Sequence, residues 1–465
     1  MHRVNSHTLS TILGVRQRWK ARLGPLWWYS AILFASSKLS DVVNLYVGVF
    51  LIPATILPAD LGAIAPLRML MGVAAVPMGL LSGAGLKFVS AFNTGDEKSL
   101  VKAVLKDLAV VAAVLSVGVV FALWLGHDFA LARLRVSDPR IVWALAAVII
   151  LSYWQAVSST AVQGLMRFRH LILSGVVGSI AYLLLMVLLL RSFHLLGYVL
   201  ALAGAGVVGT VYLAWSIREY IRPGIVPASY RAHWPQIKRY VLSTGALSLF
   251  MGLAALIEPW TIRNFTSSMD SAGFYMAFMF GQIPLYAAAA FLPFLFSLAS
   301  ERHELGQRTE SLLGQSVLAM AAAGIPLIVL LALFGERLLN LRQSWSQYAA
   351  YSPLLWKVCV SSTLQGIISA YISHENACHR FFYVKLFVPI LAVEIILLYA
   401  GMGWGFFRPH LSPALWESVD LLIGPRIEFA VRVMIGFRLL LSLPAFWHLM
   451  TAGRRKDAGH VSVRG

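Results

Sequence analysis

The chain has 465 residues, 59% of them hydrophobic and only 12% charged, with a mean hydropathy of +0.75. An average soluble domain is about a quarter charged, so water is not the solvent for most of this surface. The formal net charge of +18 would suit a nucleic-acid ligand, but the excess is scattered over short connections between apolar segments; topology and attraction to anionic phospholipid account for it, and no nucleic-acid partner is expected.

Apolar stretches of about 20 residues, each enough to cross a bilayer, predict twelve helices. They fall near 28–54, 62–86, 103–126, 141–166, 170–191, 195–217, 240–263, 272–299, 311–335, 350–373, 381–402 and 427–450. Runs such as Ile141 to Leu151 and Leu183 to Leu190 are continuously apolar, which a lipid-facing barrel strand with its alternating pattern is not. The predicted fold class is therefore all-α: a polytopic membrane protein of about 12 transmembrane helices. Of the 38 Lys and Arg residues, 24 fall on the face that holds both termini and 9 on the opposite face. The excess of positive charge places both termini in the cytoplasm, and the expected location is a bacterial inner membrane.

In chain order, residues 1–27 form a basic segment with no apolar run or small-residue cleavage site, so no cleaved signal peptide is expected. Trp19, Trp27, Trp28 and Tyr29 suit an interfacial belt. In the first helix Ser37, Ser40, Asp41, Asn44 and Gly48 share one stripe with Lys38 at its edge, and that stripe cannot face lipid. The second helix carries Arg68 and a face of Gly72, Gly79 and Gly83. The fourth carries Ser152, Gln155, Ser159 and Gln163 on one side. Gly204, Gly206 and Gly209 match a dinucleotide fingerprint in letters, but inside a span they read as close helix packing.

The connection Arg218 to Arg239, with Pro223, Gly224, Pro227 and Pro235, divides the helices six and six. Sliding the chain by 211 residues aligns Tyr29 to Gly62 with Tyr240 to Gly273 without a gap. Two pseudo-symmetric six-helix lobes follow, a pattern common among secondary transporters. The expected division is a basic cytoplasmic segment at 1–27, an N-lobe at 28–217, a linker at 218–239, a C-lobe at 240–450 and a basic tail at 451–465.

In the C-lobe, Glu258 precedes Pro259 in the seventh helix with no cation within one helical turn in sequence, and Lys357, Ser361, Gln365 and Ser369 share a face of the tenth. The Ser and Gln positions taken singly read as stitches between helices. Lys38, Asp41, Glu258 and Lys357 are functional candidates, because a charge within the bilayer is costly. Arg68, Arg263, Arg432 and Arg438 lie nearer helix ends and can snorkel. Glu394 stands alone in a Leu- and Ile-rich span. His374-Glu375 with His379 has one residue too many for a zinc-protease helix and reads as a solvated loop. Cys359 and Cys378 imply no disulfide framework or zinc spacing, and no metal site is expected. Nothing cradles a nucleotide, no cofactor is expected, and no large soluble domain is present to house an enzyme.

Three segments carry a family likeness: Leu57-Pro-Ala-Asp-Leu-Gly62, Phe88-Val-Ser-Ala-Phe-Asn-Thr-Gly-Asp96 and Gln163-Gly-Leu-Met-Arg-Phe-Arg169. With the polar first helix, they resemble the multidrug, oligosaccharidyl-lipid and polysaccharide (MOP) exporter superfamily, and within it the O-antigen and exopolysaccharide type of flippase. The resemblance implies a non-enzymatic flippase for a lipid-linked oligosaccharide working by alternating access. It implies a cavity lined by Lys38, Asn44, Arg68, Gln155, Gln163, Lys357 and Gln365, with the two lysines meeting a lipid pyrophosphate, and Asp41 and Glu258 coupling transport to an ion. A monomer is expected, with a glycan polymerase or glycosyltransferases as candidate partners. Two alternatives stand beside it. One is a cation-coupled multidrug extruder using Asp41; the other is a membrane glycosyltransferase or O-antigen ligase using the Gly403 to Arg426 connection with its Arg408, His410, Glu417 and Asp420.

Overall fold

The computed structural model describes residues 39–94, 97–221, 234–304, 307–378, 380–402 and 426–460. Lys38, the segment at 1–27 and the connection at 403–425 lie outside them, as does His379. Among the described residues the chain is helical, without strands. In order, the long helices are α1 Leu39–Thr55, α2 Ile64–Thr94, α3 Lys98–Leu125, α4 Arg140–Gly164, α5 168–193, α6 195–216, α7 Trp234–Phe265, α8 Ser268–Glu304, α9 Glu310–Asn340, α10 Ser352–Ala377, α11 Phe382–Met402 and α12 Arg426–His460.

The split between α5 and α6 has a clear physical cause. Phe168–Ser216 is 49 residues of nearly unbroken helix, about 74 Å at 1.5 Å per residue and more than twice the ~30 Å hydrocarbon core. His194, at φ 48° and ψ −123°, breaks it. The chain then turns back so tightly that a Cβ at Gly197 would stand 2.2 Å from the Leu189 carbonyl oxygen, which restricts that position to glycine.

Several helices overrun their predicted limits. α3 begins at Lys98 rather than 103, α7 at Trp234 rather than 240, and α12 continues to His460. Hydropathy marks the thickness of lipid, whereas a helix that already satisfies its own backbone bonds continues into the aqueous zone. Pro259 lies inside α7 without ending it.

The two halves repeat one plan. Lys98 opens α3 as Glu310 opens α9, 212 residues on; Arg140 opens α4 as Ser352 opens α10, 212 on; Phe168 opens α5 as Phe382 opens α11, 214 on. In the N-lobe α4 is central, packed by α2, α3 and the α5–α6 pair; in the C-lobe α10 takes that place, packed by α8, α9 and α12. α2 and α7 run side by side between the lobes, where Gly252 lies against Val73 and Val76. Lipid meets apolar faces such as Val110, Val114, Val117 and Phe121 of α3 and the equivalent Leu318, Ile325 and Val329 of α9, all exposed. Connections rich in Lys and Arg mark a basic end of the bundle, while residues 56–63, 126–139 and 341–351 lie at the far end.

Candidate functional site

The polar stripe of α1 does turn away from lipid. Ser40, Asp41 and Asn44 line two adjoining clefts of about 500 and 370 Å³ in the N-lobe. Across from them stand Ser152, Gln155 and Ser159 of α4, and Ser174, Gly175, Gly178 and Ser179 of α5. Ser40 Oγ and Ser179 Oγ are 2.5 Å apart, so a hydroxyl pair ties α1 to α5. Gly206 and Gly209 of α6 form the remaining wall. A Cβ at Gly204 would come within 2.6 Å of Leu185, and one at Gly209 within 3.3 Å of the Gln155 amide nitrogen. These glycines serve close packing, as their position inside a span predicts.

Arg68 sits where the lobes meet. Its Nη1 lies 3.5 Å from Met279 Sδ, and Tyr182, Tyr198, Tyr275 and Tyr286, two from each lobe, surround the guanidinium closely enough to interact with it electrostatically. Tyr275 donates from its hydroxyl to the Gly48 carbonyl at 3.0 Å. That approach is close: a Cβ on Gly48 would meet Met279 at 2.0 Å.

The C-lobe holds charge in a different way. Glu258 of α7 is 4% exposed and forms a buried ion pair with Arg438 of α12, whose Nη1 donates to Ser361 Oγ of α10 at 2.7 Å. Glu394 of α11, 1% exposed, is close enough to interact with both partners of that pair, and its Oε1 accepts no hydrogen bond among the described residues. Lys357 donates to Glu428 Oε1 at 3.2 Å and lies over the Trp356 ring; Arg432 holds the other oxygen of Glu428 at 2.8 Å.

Hydrogen bonds between the lobes gather toward the far end. Arg135 donates to the carbonyls of Asn264 and Thr266 at 2.6 and 2.8 Å. Arg263 reciprocates to Leu134 and Arg135 at 2.9 and 3.0 Å. Trp345 and Arg342 donate to Val49 and Phe50, and Ser271 to Gly62. The far end is thus closed between the lobes.

This architecture is found in solved transporters. The chain is similar to an inward-facing multidrug resistance MATE family transporter of the MOP superfamily, with a TM-score of 0.64 and 14% identity over 92% of this chain and 96% of that one. An outward-facing conformation of a multidrug resistance MATE family transporter gives 0.62 and 14% over 91% and 94%. A MOP superfamily transporter from Pyrococcus furiosus, reported with a binding pocket of reverse polarity, gives 0.61 and 16% over 92% and 94%. The chain shares its fold with these transporters. No protein-family model matches it, and no curated protein does.

Within that fold, the sequence-derived residues fall into separate groups. Asp41, Asn44 and Gln155 come together in the N-lobe cleft. Gln163 is not among the residues lining it; it sits at the last turn of α4, where its carbonyl accepts from Met166 N. Lys357 and Gln365 lie on α10 in the other lobe. Glu258 has a cation after all, supplied by α12 rather than by its own helix. Arg263 and Arg438 do not snorkel: each is buried and donates to protein acceptors. His374 and Glu375 are buried in the last turns of α10 rather than solvated in a loop. The sequence reading passed over the α5 wall and the four tyrosines. Ser174, Gly175, Gly178 and Ser179, small residues one helical turn apart in a Leu-rich span, were the signal for the first.

Proposed function

We propose that the protein is a flippase that moves a polyprenyl-pyrophosphate-linked oligosaccharide across the bacterial inner membrane by alternating access, for polysaccharide or O-antigen biosynthesis. The observation that carries this reading is the chemistry of the N-lobe cleft. Its polar groups are Ser hydroxyls and the amides of Asn44 and Gln155, with Asp41 as one carboxylate. Hydroxyls and amides both donate and accept, which suits sugar hydroxyls; Arg68 between the lobes supplies a fixed positive charge for phosphate. In this reading Lys38 and Lys357 remain secondary contacts, since Lys357 is already paired with Glu428. The division into lobes at 28–217 and 240–450, with cytoplasmic termini, a monomeric state and anionic phospholipid around the basic end, belongs to the same proposal.

Asp41 and Glu258 are the acids proposed to couple transport to an ion. Asp41 lines the cleft, while Glu258 shares Arg438 with Glu394. A second reading, a cation-coupled multidrug extruder, is favoured by the placement of Asp41 in that cleft.

Removal of the protein separates the two. Accumulation of a lipid-linked oligosaccharide on the inner leaflet, rescued fully by the parent chain and only in part by Gln155→Leu, supports the flippase. Unchanged lipid intermediates with altered drug susceptibility would replace it with the extruder.

A further inference from the structure

At the basic end of the C-lobe, two helices bring metal-ligating groups together. His374 and Glu375 end α10, both buried, and His448 reaches in from α12 with its ring centroid 5.6 Å from that of His374. One ligand atom from each residue lies within 4.8 Å of the other two. His374 Nδ1 and Glu375 Oε1 are 3.1 Å apart, near the edge of about 3.3 to 3.4 Å that two ligands at 2.0–2.1 Å subtend in a tetrahedral zinc site. The other ring nitrogen, Nε2, is 3.0 Å from Thr309 Oγ1 just before α9. A metal-bound histidine fixes its tautomer and tilt by donating its second N–H to such an acceptor. Thr309 in turn lies 3.6 Å from the buried thiol of Cys378. Glu310 and Arg380 are the charged neighbours of His448 besides Glu375, and their charges offset.

We infer that His374, Glu375 and His448 form a binding site for a borderline-soft divalent cation of the Zn²⁺ type, with Thr309 orienting His374. Two imidazoles and a carboxylate match zinc and its late first-row neighbours rather than magnesium or calcium, which prefer all-oxygen shells. The site is remote from the N-lobe cleft and does not depend on what that cleft transports. Its ion would fasten the basic ends of α10 and α12 to the start of α9, holding the C-lobe as one body.

The test uses the full-length protein in detergent with any affinity tag removed. After stripping with EDTA, the protein is equilibrated with Zn²⁺ and desalted, and the bound metal is counted by mass spectrometry. The inference expects about one zinc per chain and at least tenfold weaker binding in His374→Ala and His448→Ala. Co²⁺ should give the intense visible absorption of a low-coordinate site in the parent chain and lose it in both variants. Glu375→Gln, nearly isosteric, serves if a histidine variant fails to fold, and it too should weaken binding and abolish any zinc-induced rise in Tm. Parent protein that binds no more zinc than the His374→Ala/His448→Ala double variant, or single variants that bind as tightly as the parent, would overturn the site.

Discussion

The two lobes share a helix order and packing plan, yet they treat their polar interiors in opposite ways. Behind α1 the N-lobe leaves clefts of about 500 and 370 Å³ edged by hydroxyls and amides. In the C-lobe, Glu258, Ser361, Glu394 and Arg438 close on one another instead. A repeat can therefore keep its backbone while one copy presents polar groups to a ligand and the other spends them on internal bonds. Substitutions that leave a charge unpaired in the C-lobe cluster should accordingly act first through stability, and substitutions in the N-lobe cleft through transport.

The largest effect should come from Arg438→Met, which leaves Glu258 and Glu394 buried without their cation. A loss of about 3–5 kcal/mol is expected, read as a lower thermal unfolding midpoint of the full chain in detergent. The double variant Glu258→Gln/Arg438→Met should recover most of it. A single variant as stable as the parent would show that the C-lobe cluster is hydrated like the N-lobe cleft.

Next in size is Arg263→Ala. It removes two hydrogen bonds between the lobes, to the Leu134 and Arg135 carbonyls, each worth about 0.5–1.5 kcal/mol net. The far end should open more often. With Cys359 and Cys378 replaced by Ser, a reporter Val49→Cys should react roughly tenfold faster with a membrane-impermeant maleimide, the equivalent of ~1.4 kcal/mol. Unchanged labelling would remove these bonds from the closure of that end.

In the N-lobe, Gln155→Leu should reduce transport of a fluorescent lipid-linked oligosaccharide about fivefold, in keeping with ~1 kcal/mol for one hydrogen bond. Unlike Arg438→Met, it should leave unfolding within about 0.5 kcal/mol of the parent. For coupling, Glu258→Gln should flatten the dependence of vesicle transport on a pH gradient more than Asp41→Asn does. The reverse order would move the coupling acid into the open lobe.

The smallest effect belongs to Asp138, at the far end before α4. Hydrogen bonds from the Arg140 guanidinium, then from its backbone N–H, and lastly its charge hold the carboxyl below the ordinary range. Because the folded value is lowered, the contribution to stability is present above the unfolded value of about 3.9 and disappears as pH falls through the folded value. Asp138→Asn should remove a shallow acid-side slope in the unfolding midpoint and lower that midpoint only slightly at neutral pH, as expected for an exposed pair.

The span order, the alternation of basic and far ends, and the near-constant offset between lobes were legible in the sequence, because the lipid solvent imposes length and polarity on each crossing segment. Asp41, Asn44 and Gln155 were legible for a related reason: a stripe of polar groups on an apolar helix has to face protein or water. Partners on separate helices were not. Glu258 looked solitary because sequence distance hides Arg438, which stands 180 residues further on, and Arg263 looked like a snorkelling end residue because its acceptors are backbone carbonyls with no side-chain signature. The buried His374 and Glu375 were misread for the opposite reason: their letters are polar, and only the packing of α12 over α10 covers them.

The closure of the far end has a consequence for how such a protein can diverge. Arg135, Arg263, Arg342, Trp345, Ser271 and Tyr275 all donate to main-chain oxygens of the opposite lobe. An acceptor of this kind survives any exchange of its own side chain, provided that the helix end stays in place. The latch can be retuned one donor at a time with no matching change across the seam. Methods that find contacts through paired substitutions would therefore pass over it, however strongly it holds the lobes together.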